Sequence, residues 1–271
     1  MTAQSTATLS IRDLTIDIGR PLVKGVSLEL EPGRIHGLAG ESGSGKTLTS
    51  LAVLGLLPRQ AKTGGSILLA GEELVGRNRR GLNRIRGKRI AMVFQDPSAS
   101  LHPQLPIGRQ LTDHMRVHLG LKGAAARARA VELLETVQVP NPAEALKRYP
   151  HQFSGGQRQR IATACALACD PEVLLADEPT TALDVTVQAG ILKLLRDLAI
   201  ERNLAVLLVT HDLGVMSAIA DTVAVMKDGR IVELADRETL FRAPRHEYTR
   251  MLLAALPGSR IEESPEEAAD E

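Results

Sequence analysis

The chain has 271 residues and nearly equal numbers of basic and acidic side chains, 33 and 32, which give a net charge of +1. A charge this small excludes a global field that would attract nucleic acid or an anionic membrane, so any basic contact must be a local patch. Three Phe, two Tyr and no Trp leave few rings on which bases could stack, which weighs against binding of single-stranded nucleic acid. The length suits one large domain or two small ones.

The two ends of the chain differ from its middle. Residues 1–8 are polar and lack the basic-then-apolar pattern of a signal peptide, and residues 259–271 are rich in acids, so both ends are expected to be disordered. No apolar run reaches the roughly 18 residues that a membrane-spanning helix needs. We therefore expect a soluble, cytoplasmic chain. Cys165 and Cys169 have no His or Cys partner nearby, which favours buried thiols over a metal site.

The first ninety residues favour β structure, because apolar and polar residues alternate as in half-buried antiparallel strands. Strands are predicted at 9–18, 26–30, 35–39, 66–70 and 90–94. We expect the pair Gly64-Gly65 to bound the fourth of these strands, and a helix at 48–57. Residues 77–89 hold seven Lys or Arg, which predicts a solvated helix face; contact with phosphates or lipid headgroups is the alternative.

From residue 97 the pattern changes to helices, and α/β alternation returns later in the chain. Helices are predicted at 107–119, 124–137, 155–168 and 185–201, and strands at 173–176, 204–210, 222–226 and 230–234. The strands at 173–176 and 204–210 are almost continuously apolar, which is typical of parallel strands covered on both faces. Asp228-Gly229 is a strong hairpin signal. The whole pattern predicts an α/β fold with a helical insertion at about residues 97–165.

A phosphate-binding loop is predicted at residues 40–47, which match Gly-x-x-x-x-Gly-Lys-Ser/Thr between an apolar strand and a helix. Backbone N–H groups of such a loop converge on one anion, and the helix N-terminus adds its positive dipole end. Lys46 is expected to reach the outer phosphates of a nucleoside triphosphate, and Thr47 to ligate Mg²⁺. A flexible turn without a ligand is the alternative. The predicted contact residues are Gly40, Glu41, Ser42, Gly43, Ser44, Gly45, Lys46 and Thr47.

Two acids, Asp177 and Glu178, follow the buried strand at 173–176. Because ligands collect at the carboxyl ends of parallel strands, we expect Asp177 beside the phosphate loop. Asp177 could hold Mg²⁺, usually through water, and Glu178 could polarise the attacking water. A solvated acidic turn is the alternative.

The segment Ser154-Gly155-Gly156-Gln157, which lies between the phosphate loop and Asp177, resembles the signature of the ATP-binding-cassette ATPases. The resemblance extends over about residues 9–257. It implies a P-loop NTPase domain at 9–240 with a RecA-like core, an antiparallel β subdomain and an inserted helical subdomain. It also implies that two cassettes dimerise head to tail, so that the signature of one subunit caps the γ-phosphate on the loop of the other.

The same resemblance implies roles for four further positions. Gln95 resembles the glutamine that contacts Mg²⁺ or the attacking water and connects the site to membrane subunits. The segment Ala182-Leu183-Asp184 resembles the loop that crosses the dimer interface, and His211 resembles the histidine that contacts the γ-phosphate. Many cassettes stack the adenine on an aromatic residue where this chain has Ile18. We therefore expect weaker and less base-selective nucleotide binding.

Two stretches, Gln95 to Pro103 and a C-terminal extension at 241–258, resemble the ATPases of peptide and nickel importers. In lacking an aromatic residue at position 18, the chain is most similar to the nickel branch of these ATPases. The extension is similar to a His-Pro-Tyr motif, with Glu247 where proline is usual. No cysteine follows Cys169, so no iron–sulfur cluster is expected.

The resemblance implies an ATP-hydrolysing importer subunit that uses ATP and Mg²⁺ at the cytoplasmic face of the cell membrane. Its implied partners are a second cassette, identical or different, two membrane permeases and, indirectly, an extracytoplasmic substrate-binding protein. The alternatives are an exporter ATPase and a cassette that acts on nucleic acid or ribosomes; the near-zero net charge argues against the latter. Nothing in the sequence identifies the transported substrate.

Overall fold

The computed structural model of the chain describes residues 7–181 and 183–256; the predictions for 1–6, Ala182 and 257–271 lie outside these residues. The strands are β1 (Leu9–Asp17), β2 (Pro21–Leu30), β3 (Ile35–Ala39), β4 (Lys62–Leu69), β5 (Glu72–Glu73), β6 (Ile90–Val93), β7 (Val173–Asp177), β8 (Ala205–Thr210), β9 (Thr222–Lys227) and β10 (Arg230–Asp236). The helices are α1 (Lys46–Val53), α2 (Arg79–Asn83), α3 (Pro97–Ser100), α4 (Ile107–Leu119), α5 (Gly123–Thr136), α6 (Pro142–Ala145), α7 (Gly155–Ala166), α8 (Val185–Glu201), α9 (Leu213–Ile219), α10 (Arg237–Arg242) and α11 (Glu247–Ala254).

The strands form two sheets, and the predicted α/β fold is confirmed. An antiparallel sheet has the strand order β2-β1-β4-β5, and a six-stranded sheet has the order β10-β9-β3-β8-β7-β6. In the larger sheet only β10 is antiparallel to its neighbour. Every residue of β3, β7 and β8 is buried, as expected for parallel strands covered on both faces. The carboxyl ends of β3, β6, β7 and β8 therefore lie along one edge of the sheet.

Each face of the six-stranded sheet packs against its own hydrophobic cluster, because successive residues of a strand point to opposite faces. In β8, Val206 and Leu208 belong to a cluster that includes residues of helices α4, α5, α7, α8 and α9. Leu207 and Val209 belong to a second cluster, which includes apolar residues of β1, β2 and β4 and the end of α1. The sheet thus separates a helical layer from a layer built on the antiparallel sheet.

The hairpin predicted at Asp228-Gly229 is confirmed: φ is +49° and +83° at these residues, and β9 pairs antiparallel with β10. The prediction that Gly64-Gly65 bounds a strand is wrong, since β4 runs through both glycines. Gly65 has φ +83° and lies opposite a register shift in β1, where a Cβ would lie 2.4 Å from the Asp13 carbonyl oxygen. Gly65 therefore allows a bulge within the strand and does not mark the end of the strand.

Two further predictions differ from the structure. The helix predicted at 48–57 starts two residues earlier and ends at Val53, because Gly55 turns the chain with φ +59°. In the basic segment 77–89 only α2 is helical, so the expected solvated helix is shorter than predicted. Arg86 donates to the carbonyl oxygens of residues 54 and 55 beyond α1, and Arg89 pairs with both Glu72 and Glu172. Part of the basic segment thus ties the two sheets together.

Five helices, α3 to α7, lie between β6 and β7 in the chain. Helices α4 and α5 bury Leu111, Met115, Leu133 and Leu134 in the same cluster as the sheet residues Ala91 and Leu174. The helical segment is therefore packed onto the sheet. Among the described residues, no helix combines the length and the apolar composition needed to cross a membrane.

A buried histidine joins β3 to its neighbours. His36 is 3% exposed; its Nε2 accepts a hydrogen bond from the Glu31 N–H at 2.8 Å, and its Nδ1 donates to the Thr222 hydroxyl at 2.9 Å. Burial lowers the pKa of His36, although the hydrogen bond with Glu31 opposes the shift. The ring is neutral, and its protonation would cost stability.

Candidate functional site

The predicted phosphate loop connects β3 to α1 at the carboxyl end of the sheet. Gly40 and Gly45 have φ values of +147° and +109°, a region that side chains avoid. At Gly40 a Cβ would lie 2.1 Å from the Met226 carbonyl oxygen of β9, so no other residue fits there without a shift of the backbone. The tight fit between loop and sheet fixes the direction in which the first turn of α1 points.

Lys46 and Ser44 supply the polar groups of this loop. The Lys46 Nζ donates to the carbonyl oxygens of Gly40 at 2.7 Å and Glu41 at 2.8 Å. Burial lowers the pKa of Lys46, and the charges of Glu178 and Asp177 partly offset this. The Ser44 hydroxyl is buried and has no hydrogen-bond partner among the described residues. A buried, unpaired donor in the same loop as a buried ammonium is a suitable environment for an anionic oxygen.

Thr47 and Asp177 bring two oxygen groups together beside the loop. The Thr47 hydroxyl donates to Asp177 Oδ1 at 3.3 Å. Asp177 is 5% exposed, and burial raises its pKa against the opposing effect of the Thr47 hydrogen bond. A buried carboxylate next to a hydroxyl is the type of oxygen donor set that a hard divalent cation prefers.

Glu178 lies at the centre of the site. Its backbone has φ +47°, a left-handed conformation that is uncommon for residues other than glycine. Its Oε2 accepts hydrogen bonds from Gln95 Nε2 at 2.9 Å and Thr181 Oγ1 at 3.0 Å, and its Oε1 accepts from His211 Nδ1 at 2.9 Å. Three residues from three separate segments thus converge on one carboxylate.

The two neighbouring acids have different electrostatic environments. Burial raises the pKa of Glu178, but the hydrogen bonds from His211 and Thr181 outweigh it and hold the pKa below its ordinary value. The pKa of Asp177 is instead raised. Glu178 is therefore ionised at neutral pH and available as a proton acceptor.

A cavity of about 630 Å³ joins these groups. It is lined by Gly40, Glu41, Ser42, Gly43, Gly45, Lys46, Thr47, Leu48, Gln95, Glu178, Thr181, His211 and Leu252. The structure therefore brings most of the predicted nucleotide contacts, Gln95, Glu178 and His211 to one place. Leu48, which directly follows the phosphate loop, Thr181 and Leu252 were not predicted. Thr181 lies three residues after Glu178 within one turn, and this short spacing could have indicated its role. No local pattern indicates Leu252.

Ile18 and the signature segment do not line this cavity. Ile18 is half-buried against the cluster of the antiparallel sheet. The exposed Ser154 caps α7: its hydroxyl accepts from the Gln157 N–H at 3.3 Å, while Gln157 Oε1 accepts from the Ser154 N–H at 3.2 Å. A Cβ on Gly156 would lie 2.5 Å from Val187 of α8, a helix that Asp184 caps by accepting from the Val187 N–H. The signature therefore adjoins the start of α8.

Comparison with known proteins identifies the family. Residues 23–181 match the ABC transporter family. A Brucella abortus protein named for peptide import and ATP binding is 50% identical over 236 residues, 87% of this chain and 71% of its own. The oligopeptide transport ATP-binding protein OppD of Bacillus subtilis is 44% identical over 97% of this chain and 75% of its own length. The dipeptide transport ATP-binding protein DppD of the same organism is 46% identical over 87% and 71%.

Solved structures agree with this result. CbiO1 from Clostridium perfringens, part of an ABC transporter complex, superposes with a TM-score of 0.77 at 26% identity over 93% of this chain and 97% of its own. A dimeric ATP-binding cassette bound to ADP and phosphate superposes with a TM-score of 0.73 at 28% identity over 84% and 98%. The chain therefore belongs to the ABC transporter family, as an ATPase subunit with the fold of its ATP-binding cassettes.

Proposed function

We propose that this chain hydrolyses ATP at a site that two cassettes complete together, and that hydrolysis drives the uptake of peptides through membrane permeases. The observation that carries the ATPase mechanism is the convergence of Gln95, Thr181 and His211 on the Glu178 carboxylate, in the cavity that adjoins the phosphate loop. The peptide specificity is supported by the names of OppD, DppD and the Brucella abortus relative.

The phosphates of ATP would lie along residues 40–47. Lys46 holds two loop carbonyls at present, and it would exchange these neutral partners for phosphate oxygens, which form stronger charge-assisted hydrogen bonds. The unpaired Ser44 hydroxyl and the backbone N–H groups at the start of α1 are further donors.

Thr47, Asp177 and Gln95 would hold Mg²⁺. Thr47 and Asp177 already contact each other. The Gln95 amide nitrogen donates to Glu178, which leaves its carbonyl oxygen for a cation or a water. The cation would neutralise charge on the phosphates as the terminal phosphoryl group is transferred.

Glu178 would accept the proton of the attacking water through Oε1. Each carboxylate oxygen accepts about two hydrogen bonds. Among the described residues, Oε2 already has two donors, Gln95 and Thr181, whereas Oε1 has one, His211. The free position is therefore on Oε1, beside the imidazole ring, and a water bound there would be oriented by an ionised acceptor.

His211 would contact both the base and the γ-phosphate. Ionised Glu178 offers only acceptors, so His211 Nδ1 must carry a proton. Nε2 then donates to a phosphate oxygen only when the ring is an imidazolium cation.

The second half of each site would come from another cassette. Ser154, which is exposed, and the half-buried Gly155, Gly156 and Gln157 form the N-terminus of α7 and lie outside the cavity that contains Lys46, which is consistent with binding to a γ-phosphate on a partner. Asp184, at the start of α8, lies next to them and would contact the same partner. The chain carries the groups for both halves, so homodimers and heterodimers are both compatible with it.

The permeases would dock in a groove of about 230 Å³ between the core sheet and the helical segment 97–165. Leu56 and Phe94 are exposed at this groove, at 43% and 38%. Phe94 directly precedes Gln95, so a partner that moves Phe94 also moves a group bonded to Glu178. This would place the chain at the cytoplasmic face of the membrane, with residues 9–240 as the cassette.

Reconstitution in liposomes tests the proposal. The chain would be combined with any permeases and substrate-binding protein that its gene neighbourhood encodes, and uptake of labelled peptides and of Ni²⁺ would be measured with ATP. We expect peptide uptake that Lys46→Ala abolishes. Leu56→Arg should lose co-purification with the permeases, whereas Ile200→Arg, on an equally apolar exposed residue of α8, should retain it. Uptake of Ni²⁺ without uptake of peptides would show that the substrate is nickel and not peptide. Export of the labelled solute would refute the proposal that the complex is an importer.

A further inference from the structure

Helix α11 lies against the phosphate loop, and a carboxylate of β10 fixes its start. The Glu233 carboxylate of β10 accepts hydrogen bonds from the backbone N–H groups of Arg245 at 2.7 Å and His246 at 3.0 Å. His246 Nδ1 then caps the helix by accepting from the Tyr248 N–H at 3.1 Å. The start of α11 is thereby anchored to the hairpin of β9 and β10, whose strand β9 pairs with β3.

Tyr248 joins this helix to the loop. Its side chain is 3% exposed, and the Lys227 Nζ lies 4.6 Å from the centre of its ring. Its hydroxyl oxygen accepts a hydrogen bond from the Glu41 N–H at 3.3 Å, across 207 residues of sequence. Four residues further along α11, Leu252 lines the nucleotide cavity. The helix therefore contributes one wall of the cavity and one hydrogen bond to its loop.

The two ends of Glu41 are held by different groups. The N–H is held by Tyr248, and the carbonyl oxygen is held by Lys46 at 2.8 Å. When Lys46 turns to the phosphates, as the proposed function requires, the carbonyl loses its partner. The Tyr248 hydroxyl then remains as the side-chain contact to the Glu41 backbone.

We propose that Tyr248 is a positioning residue for nucleotide binding, which keeps residues 40–45 in their cradle conformation after Lys46 has moved to the phosphates. This inference rests on the proposed role of the loop. The contact matters more in the nucleotide-bound chain than in the free chain, because only the free chain has Lys46 as a second clamp. Loss of the hydroxyl should therefore weaken nucleotide affinity and leave the stability of the free chain nearly unchanged.

Tyr248→Phe in the full chain tests this, because it removes the hydroxyl and keeps the ring that Lys227 contacts. Binding of Mg²⁺ and a non-hydrolysable ATP analogue would be measured by calorimetry, and thermal unfolding without nucleotide by circular dichroism. We expect a three- to tenfold rise in Kd, about the equivalent of one hydrogen bond, with an unchanged unfolding midpoint. In steady state KM should rise and kcat should not fall in proportion.

Two control variants separate the possible failures. Tyr149→Phe makes the same change at the other tyrosine, which is exposed beside His151, and should bind like the wild type. Lys46→Ala should lose binding; if it binds like the wild type, the proposed site itself is wrong. If Lys46→Ala loses nucleotide binding and Tyr248→Phe binds the nucleotide like the wild type, only the role of Tyr248 is refuted. A Tyr248→Phe chain that unfolds earlier with unchanged Kd also overturns it, since Tyr248 would then serve the fold alone.

Discussion

Replacing Glu178 by Gln removes the charge of the proposed base and keeps its shape. The carboxylate accepts hydrogen bonds from Gln95, Thr181 and His211 at 2.9, 3.0 and 2.9 Å. The amide oxygen of the variant can keep the two bonds on the Oε2 side. Its NH₂ group can donate to His211 Nδ1 once the ring proton moves to Nε2. All three partners stay satisfied, so the variant should fold normally.

The rate of hydrolysis should fall by a factor of roughly 10² to 10⁴, which is the usual contribution of a general base. This corresponds to about 3 to 5 kcal/mol of transition-state stabilisation. Affinity for ATP should not decrease, because the change removes a negative charge from the cavity that contains Lys46. With ATP bound and turnover blocked, the chain should accumulate as a closed dimer.

Phosphate release, ATP binding and light scattering with ATP together measure these effects. Glu172→Gln is the matched control, since it makes the same change at a carboxylate paired with Arg89, outside the cavity. The control should hydrolyse ATP at the wild-type rate. Hydrolysis by Glu178→Gln within tenfold of the wild type would refute the assignment of Glu178 as the base, as would a loss of ATP binding.

Three further predictions concern other parts of the chain. Ile18→Tyr should tighten ATP binding by roughly 5- to 150-fold in calorimetry, and increase the preference for ATP over GTP, because stacking of a base on an aromatic side chain contributes roughly 1 to 3 kcal/mol. The lowered pKa of His36 means that the unfolded chain binds more protons than the folded chain below about pH 6.5. The free energy of unfolding should therefore fall as the pH drops below 6.5, and in urea titrations the fall should be smaller for His36→Gln, which keeps a donor and an acceptor but does not titrate. Burial raises the pKa of Cys165 to about 12 and that of Cys169 to about 11, so iodoacetamide at pH 7.5 should label both far more slowly in the folded chain than in urea, as counted by mass spectrometry.

Each of these three predictions would be refuted by a specific result. Equal ATP affinities of the wild type and Ile18→Tyr would show that residue 18 does not face the base. Equal pH slopes for the wild type and His36→Gln would assign the loss of stability in acid to other groups. Labelling of the folded chain at the rate of the unfolded chain would show that the thiols are accessible and ionise normally.

Much of the site was predictable because its parts are local. The phosphate loop is one continuous segment, Asp177 is the last residue of a buried parallel strand, and Glu178 and His211 each directly follow one. Strand ends of a parallel sheet meet at one edge, so short-range patterns place these side chains together without knowledge of the other contacts. The α/β fold follows from the same alternation of strands and helices.

Other features depend on contacts that no local pattern contains. The bond between Tyr248 and Glu41 spans 207 residues, and it exists because Glu233 of β10 fixes the start of α11. The role of Gly65 was misassigned, because a glycine at a bulge and a glycine at a strand end look alike until the partner strand is known. In the basic segment, Arg89 pairs with one acid in β5 and another next to β7. The sequence of residues 77–89 contains neither partner, so it could not indicate that Arg89 connects the two sheets.

The division of the core into two clusters has a consequence for how such a subunit can diversify. Val206 and Leu208 face the helices, whereas Leu207 and Val209 face the antiparallel sheet. Substitutions in regions that share no contacts affect stability nearly independently. Substitutions in the core of the helical layer should therefore leave the packing on the opposite face of the sheet nearly unchanged. The sheet works as a partition between two cores that can be altered separately.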